Sequence, residues 1–372
     1  MWSPLRCLAS TNHNLLFLSV LVFSASWIKE NSSEAFCPSR RPANFYSKFL
    51  CASPSSIYDS DLNITSTIQW DVYICESKQC KERGSDKTFG AFVGLAPTAF
   101  VAIHPVIIQR PKGKGPNVRC IQRKKSGGKA LEVNNVDSVE KVYRILTKYM
   151  NVKGVDPVAY ESLRWNYKGN SHLDKGEVAL AIQCYDRALE AGYKDQEGVL
   201  LVMRATAYLQ RAYNHRKELK VAVQALEESV PDPAALQMLF QISLLDPSLV
   251  NPIFTRVVSD FKIQNKKFQQ TVFRHGLYEY ALLHATQDSL HATQLLPRYA
   301  MTWMRAGDSL AELRKLKESV QYYEKALQLD PTLADTLRPT IARLKASQDV
   351  LDNARQDGYS EDALRVALDV LG

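Results

Sequence analysis

The chain is 372 residues long, 45% hydrophobic and 23% charged, with a net charge of +8 and seven cysteines. That is the balance of an ordinary globular protein with room for two ordered domains and a leader, and it excludes a low-complexity chain or a dense disulfide framework. The charge is uneven, with 15 basic and 7 acidic residues in 67–150 against 27 and 28 in 151–372, so any electrostatic attraction belongs to the middle of the chain.

The leader comes first. Residues 15–28 form an apolar stretch behind a short segment holding Arg6, too short for a comfortable membrane span and suited to a signal-peptide core. From Phe36 to Ile57 there are three basic residues, no acidic one and several serines, which is transit-peptide composition. An Ala35-Phe36 junction between the two resembles the bipartite presequence of algae with complex plastids, such as diatoms. The expectation is a signal peptide over 1–35, a transit segment over 36–66, and delivery through the endoplasmic reticulum to the plastid stroma. No membrane span is expected in the mature chain.

Residues 67–150 alternate between strand and helix signals. Ile68–Cys75 reads as a strand, and Phe89, Phe92 and Val93 keep helical spacing behind it. Phe100–Gln109 is a β-branched run in which Pro105 signals an edge or bulge, and His104 is expected to be a satisfied core histidine. Val118–Gln122 and Ala130–Val133 flank the turn Ser126-Gly127-Gly128, and Asp137 caps a helix carrying Val139, Val142, Ile145 and Leu146. The order is β-α-β-β-β-α.

Within this segment Cys75 and Cys80 are followed by Arg83-Gly84-Ser85, and later by Gly115-Pro116-Asn117-Val118. These residues resemble the thioredoxin-like 2Fe–2S ferredoxins, which read C-x4-C-x2-RGS and then C-x3-C-x2-GPNV. The resemblance places the second cysteine pair at Ile108 and Lys112, neither of which supplies a thiolate. A cluster needs four ligands, so Cys75 and Cys80 are expected to be a vestigial half-site and no cofactor is expected. Cys120 follows Pro116 and has no ligand role by this resemblance. The run Arg110, Lys112, Lys114, Arg119, Arg123, Lys124, Lys125 and Lys129 contains no acid. It suits an acidic protein face rather than nucleic acid, because no aromatics are interleaved and no nucleic-acid motif is present.

Residues 155–372 carry small and large residues at repeat spacing. Trp303, Gly307, Leu310, Ser319, Tyr323, Ala326 and Pro331 form the clearest set, and Trp165, Gly169, Ala181, Tyr185 and Ala188 fill the same roles upstream. Ala285, Ala292 and Pro297 match one repeat length before the last set. The pattern resembles the tetratricopeptide repeat, a helical hairpin of about 34 residues. In between, Leu201, Ala205 and Tyr208 fit a first helix, and His215–Glu228 continues without the small residue of a second one. Residues 248–284 look helical, with Phe254, Val257, Val258, Phe261, Phe268 and Phe273 as core candidates, and Leu333–Arg355 closes the array. The fold class expected is α+β, a small thioredoxin-like domain followed by an all-α solenoid.

The resemblance implies a protein partner in the solenoid's groove. Asn166, Asn170 and Arg305 are the candidate contacts. Asn170 and Arg305 match the carboxylate clamp of tetratricopeptide cochaperones, whereas Asn166 and Met301 stand where that clamp has lysines. No phosphate loop, nucleophile elbow or metal-ligand spacing is present, so the chain reads as a binding protein rather than an enzyme. The resemblance implies a role in assembly or maintenance of a photosynthetic complex, which tetratricopeptide proteins of plastids often serve. The alternatives are a redox protein using Cys75 and Cys80 and a cochaperone.

Overall fold

Apolar residues at every second position set the first strand described. Trp70, Val72 and Ile74 are buried in strand β1, Trp70–Cys75, on the face opposite Asp71 and Tyr73. The structure, a computed structural model, describes residues 69–108, 114–123, 128–227 and 265–356. These residues divide into two compact units, one within Arg41–Tyr208 with Gln287–Thr302 and the other within Leu209–Thr286 with Trp303–Gly372.

In the first unit, β1 lies between β2, Val101–Val106, and β3, Val118–Gln122, and β4, Ala130–Val133, completes the order β2-β1-β3-β4. The β1–β2 pair is parallel, with Trp70 opposite Val101, and the other two pairs are antiparallel. A parallel neighbour needs a crossover, here α1, Lys78–Glu82, and α2, Ser85–Leu95. Gly84 sits between them at φ 93°, a left-handed conformation that glycine adopts without strain. Pro105 falls on the edge strand, where its missing N–H costs no ladder bond.

Helix α3, Val139–Arg144, continues as a π-turn over Ile145–Tyr149. Its cap is Ser138 rather than Asp137: the Ser138 hydroxyl accepts from the Lys141 N–H, while Asp137 pairs with the Lys141 ammonium at 2.7 Å. Val139, Val142, Ile145 and Leu146 pack with Val72, Ile74, Ala91 and Phe92 in one buried cluster. Each fully buried side chain of this kind contributes about 1.5–3 kcal/mol relative to exposure. The cluster does not stop at Met150. It includes Ala159 and Leu163 of the next helix, α4, Pro157–Asp174, which starts on an Asp156 cap and Pro157 in the first turn.

A turn leads from α4 to α5, Val178–Glu190. The helix that follows, α6, runs unbroken from Lys194 to Glu227. The helix read from Leu201, Ala205 and Tyr208 continues through His215 to Glu227, with no Gly or Pro to interrupt 199–227. Helix α7, Asn265–Leu295, is similarly long. Ala285 and Ala292 are fully buried on it, but Phe273 is 67% exposed. Thr271, Ala281, Leu282 and Ala285 take α7's buried face, and Phe273 lies on the opposite side with Tyr280 and Leu283. Phe254, Val257, Val258 and Phe261 lie outside the described residues.

Helices α8, Ala300–Glu312, and α9, Leu316–Leu329, form a second hairpin. One 3₁₀ turn, Pro331–Leu333, leads into α10, Ala334–Gln356, which accommodates Pro339 near its start. The class is α+β: a small mixed sheet, then helices.

Candidate partner-binding site and the paired thiols

Two helical hairpins share one packing device. In α4, Gly169 faces the Tyr185 ring of α5 so closely that a Cβ would stand 2.6 Å from it. The Tyr185 hydroxyl donates to Asn170 Oδ1 at 2.7 Å. In α8, a Cβ on Gly307 would stand 2.8 Å from the Tyr323 ring of α9, and the Tyr323 hydroxyl donates to Asp308 Oδ1 at 2.8 Å. Glycine admits the ring, and the residue after it accepts the buried phenol's hydrogen bond. Ser319 adds a bond to the Gly307 carbonyl at 2.8 Å. The tetratricopeptide repeat family matches here, over residues 300–333. This segment is a tetratricopeptide repeat.

The repeat places Arg305 in its first helix, where the guanidinium pairs with Asp308 at 2.6 Å. Asp308 thus holds both Arg305 and Tyr323. Burial, followed by the Asp308 charge, pushes the Tyr323 phenol well above its usual range. Asn166 and Asn170 lie in the first unit, Arg305 in the second. Both asparagines are buried, Asn170 bonded to Tyr185, and Asn166 Oδ1 has no hydrogen-bond partner among the described residues. Their polar groups point inward in the helix packing, and the Arg305 charge is matched within its own helix.

Sequence reasoning passed over the polar side chains that cross between helices. Arg204 of α6 forks onto Asp288 of α7 at 2.7 and 2.8 Å and reaches Asp186 of α5 at 2.7 Å. Burial opposes this guanidinium's charge, but the two carboxylates outweigh it and hold it protonated beyond its ordinary range. In the second unit Arg216 pairs with Glu312 at 3.1 Å, and the Tyr278 hydroxyl donates to the same carboxylate. Pairs this far apart in sequence leave no spacing signal. The Trp165 ring, read as a repeat marker, also carries cations, with Lys168 Nζ 4.8 Å and the Arg187 guanidinium 4.5 Å from its centroid.

The thiol pair occupies the end of β1. Cys75 and Cys80 are both buried. Cys75 Sγ lies 3.4 Å from Ser77 Oγ, and its backbone N–H donates to the Asn117 carbonyl at 3.0 Å. Burial pushes its thiol up, yet bonds from the Ser77 side chain, the Ser77 and Ile108 N–H groups and the Cys80 side chain outweigh burial and hold it below the ordinary value. Asn117 Nδ2 donates to Cys80 Sγ at 3.7 Å. A Cβ on Gly115 would collide with Cys80 Sγ and stand 3.2 Å from its Cα. Cys120 on β3 is pushed up by burial to about 12.

Among the described residues no group of three or more His, Cys, Asp or Glu side chains is placed to hold a metal ion. Ile108 approaches Cys75 with a backbone N–H, a donor that cannot ligate iron, and the Gly115 backbone fills the space directly against Cys80. Lys112 lies outside the described residues.

The basic run is partly matched from within. Arg119 pairs with Glu132 across β3–β4, and Arg123 forks onto Asp71 at 2.6 and 2.7 Å. Lys114 and Lys129 are exposed; Arg110, Lys112, Lys124 and Lys125 lie outside the described residues. His104 donates to Asp71 at 2.9 Å, stacks on Tyr73, and keeps 41% of its side chain exposed. It therefore sits on the sheet's open face, satisfied but not in the core.

Proposed function

We propose that the chain is a non-catalytic scaffold of a complex plastid, whose helical region holds a protein partner of a photosynthetic complex during assembly or maintenance. The observation that carries this reading is the tetratricopeptide repeat at 300–333, because stacked hairpins of this kind present extended surfaces to other proteins. The presequence-like segments over 1–66 support the plastid. Lys114 and Lys129 support an acidic partner surface, although the matched Arg119 and Arg123 reduce the net field that the run offers. Among the described residues no helix is long and apolar enough to cross a membrane.

A cochaperone clamp draws less support. Its grip depends on unneutralised cations and open asparagine amides, whereas Arg305 pairs with Asp308 and both asparagines are buried.

The test is capture of the tagged full chain from its own plastids, followed by cross-linking and mass spectrometry. Stoichiometric recovery of photosystem or assembly-factor subunits, cross-linked to α8–α10, is the expected result. A chain recovered alone, or a fusion of residues 1–66 retained in the endoplasmic reticulum, would overturn the scaffold and the plastid respectively.

A further inference from the structure

We propose that Cys75 and Cys80 form a peroxide-responsive dithiol that closes to an intramolecular disulfide. Asn117 touches both cysteines at the end of β1, its carbonyl accepting from the Cys75 N–H at 3.0 Å and its Nδ2 donating to Cys80 Sγ at 3.7 Å, and a short turn with the first residues of α1 joins the two. Both are buried among described neighbours, Ser77 and Asn117 bonding one sulfur each and Gly115 closing against Cys80. The arrangement goes beyond the scaffold reading and does not depend on it.

Burial selects the oxidant. A bulky disulfide must reach a sulfur in line, and 0% exposure at Cys75 and 1% at Cys80 deny that approach. Hydrogen peroxide, little larger than water, reaches the pair on ordinary local opening. The Cys75 thiolate attacks one peroxide oxygen, the O–O bond breaks, and hydroxide leaves, giving Cys75 sulfenic acid. The Cys80 sulfur then attacks Cys75 Sγ, the S–O bond breaks, and the hydroxyl departs with the Cys80 proton as water. Two thiol groups lose two electrons and one peroxide gains them. Ser77 and the N–H groups of Ser77 and Ile108 surround the attacking sulfur, and Asn117 orients the resolving one. Cys120, on β3 opposite Val72 of β1, belongs to the apolar cluster and takes no part.

The experiment uses the full reduced chain, treated with hydrogen peroxide or with oxidised glutathione, then denatured, alkylated and peptide-mapped. Peroxide is expected to abolish alkylation at Cys75 and Cys80 together and to yield their linked peptide, with Cys120 and Cys184 still alkylated. Oxidised glutathione is expected to leave all four alkylated. With Cys80→Ser, dimedone should trap a sulfenic acid at Cys75. Continued alkylation of both residues after peroxide would overturn the proposal, as would pairing of Cys75 with Cys120. Equal oxidation by glutathione disulfide would overturn the selection of a small oxidant. Iron with acid-labile sulfide in anaerobically purified chain, lost on Cys75→Ser, would overturn the dithiol altogether.

Discussion

Gly169 and Gly307 each stand where a methyl group has no room, because a tyrosine ring occupies the space. Gly169→Ala and Gly307→Ala should each cost about 1–3 kcal/mol, as overpacking does, and lower the thermal midpoint. Gly276, also in a helix, has nothing within 4 Å of its added Cβ. Gly276→Ala should therefore stabilise by about 0.5–1 kcal/mol through helix propensity alone. Thermal melts of the three variants separate close packing from backbone preference. Asp71 offers a pH test. Arg123 first, and then His104, hold its carboxyl below the usual carboxylate range against the effect of burial. Its folded pKa lies below the unfolded value of about 3.9. The stabilisation is therefore fully present above that pH and lost as pH falls through the folded pKa. Denaturant unfolding of Asp71→Asn should show a flatter loss of stability below about pH 4 than the parent chain.

At the scale of elements, legibility followed locality. Strands β1–β4 and the hairpins α4/α5 and α8/α9 were readable because alternation, Gly-aromatic pairs and Pro breaks are local signals. Helix α6 was legible as a helix running on past the repeat pattern, but the partners of its polar side chains were not. Arg204 shows what local reading omits: it joins α5, α6 and α7 through two carboxylates. Arg204→Ala would leave Asp288 buried beside no cation, a defect of about 3 kcal/mol or more. Arg204→Lys should recover only part of that loss, because an ammonium cannot make the paired bonds of a guanidinium fork. Phe273 gives the opposite case. Its face of α7 is open, so Phe273→Ser should move stability by no more than about 0.5 kcal/mol. The candidate contacts Asn166 and Asn170 lie in α4 and Arg305 in α8, and neither the burial of the two asparagines nor the Arg305–Asp308 pair was legible from spacing.

For the molecule as a whole, the consequential feature is a core that crosses from sheet to helical hairpin. Trp70, Phe92, Val142 and Leu146 share their cluster with Ala159 and Leu163 of α4, and the Tyr167 hydroxyl donates to the Lys87 carbonyl at 2.8 Å. A Cβ on Gly94 would stand 2.7 Å from Leu163, so α2 and α4 approach at van der Waals distance. Composition alone changes character near residue 150, and periodicity switches from two to 3.6 there, but neither signal reports which surfaces are shared. A fragment of residues 67–150 would expose the side of this cluster that α4 covers. It should unfold without a sharp transition and bind a hydrophobic dye, whereas residues 67–192, which add α4 and α5, should melt cooperatively. Calorimetry of the two fragments decides the matter. Equal, cooperative transitions would mean that the sheet folds independently and that α4 adds only surface.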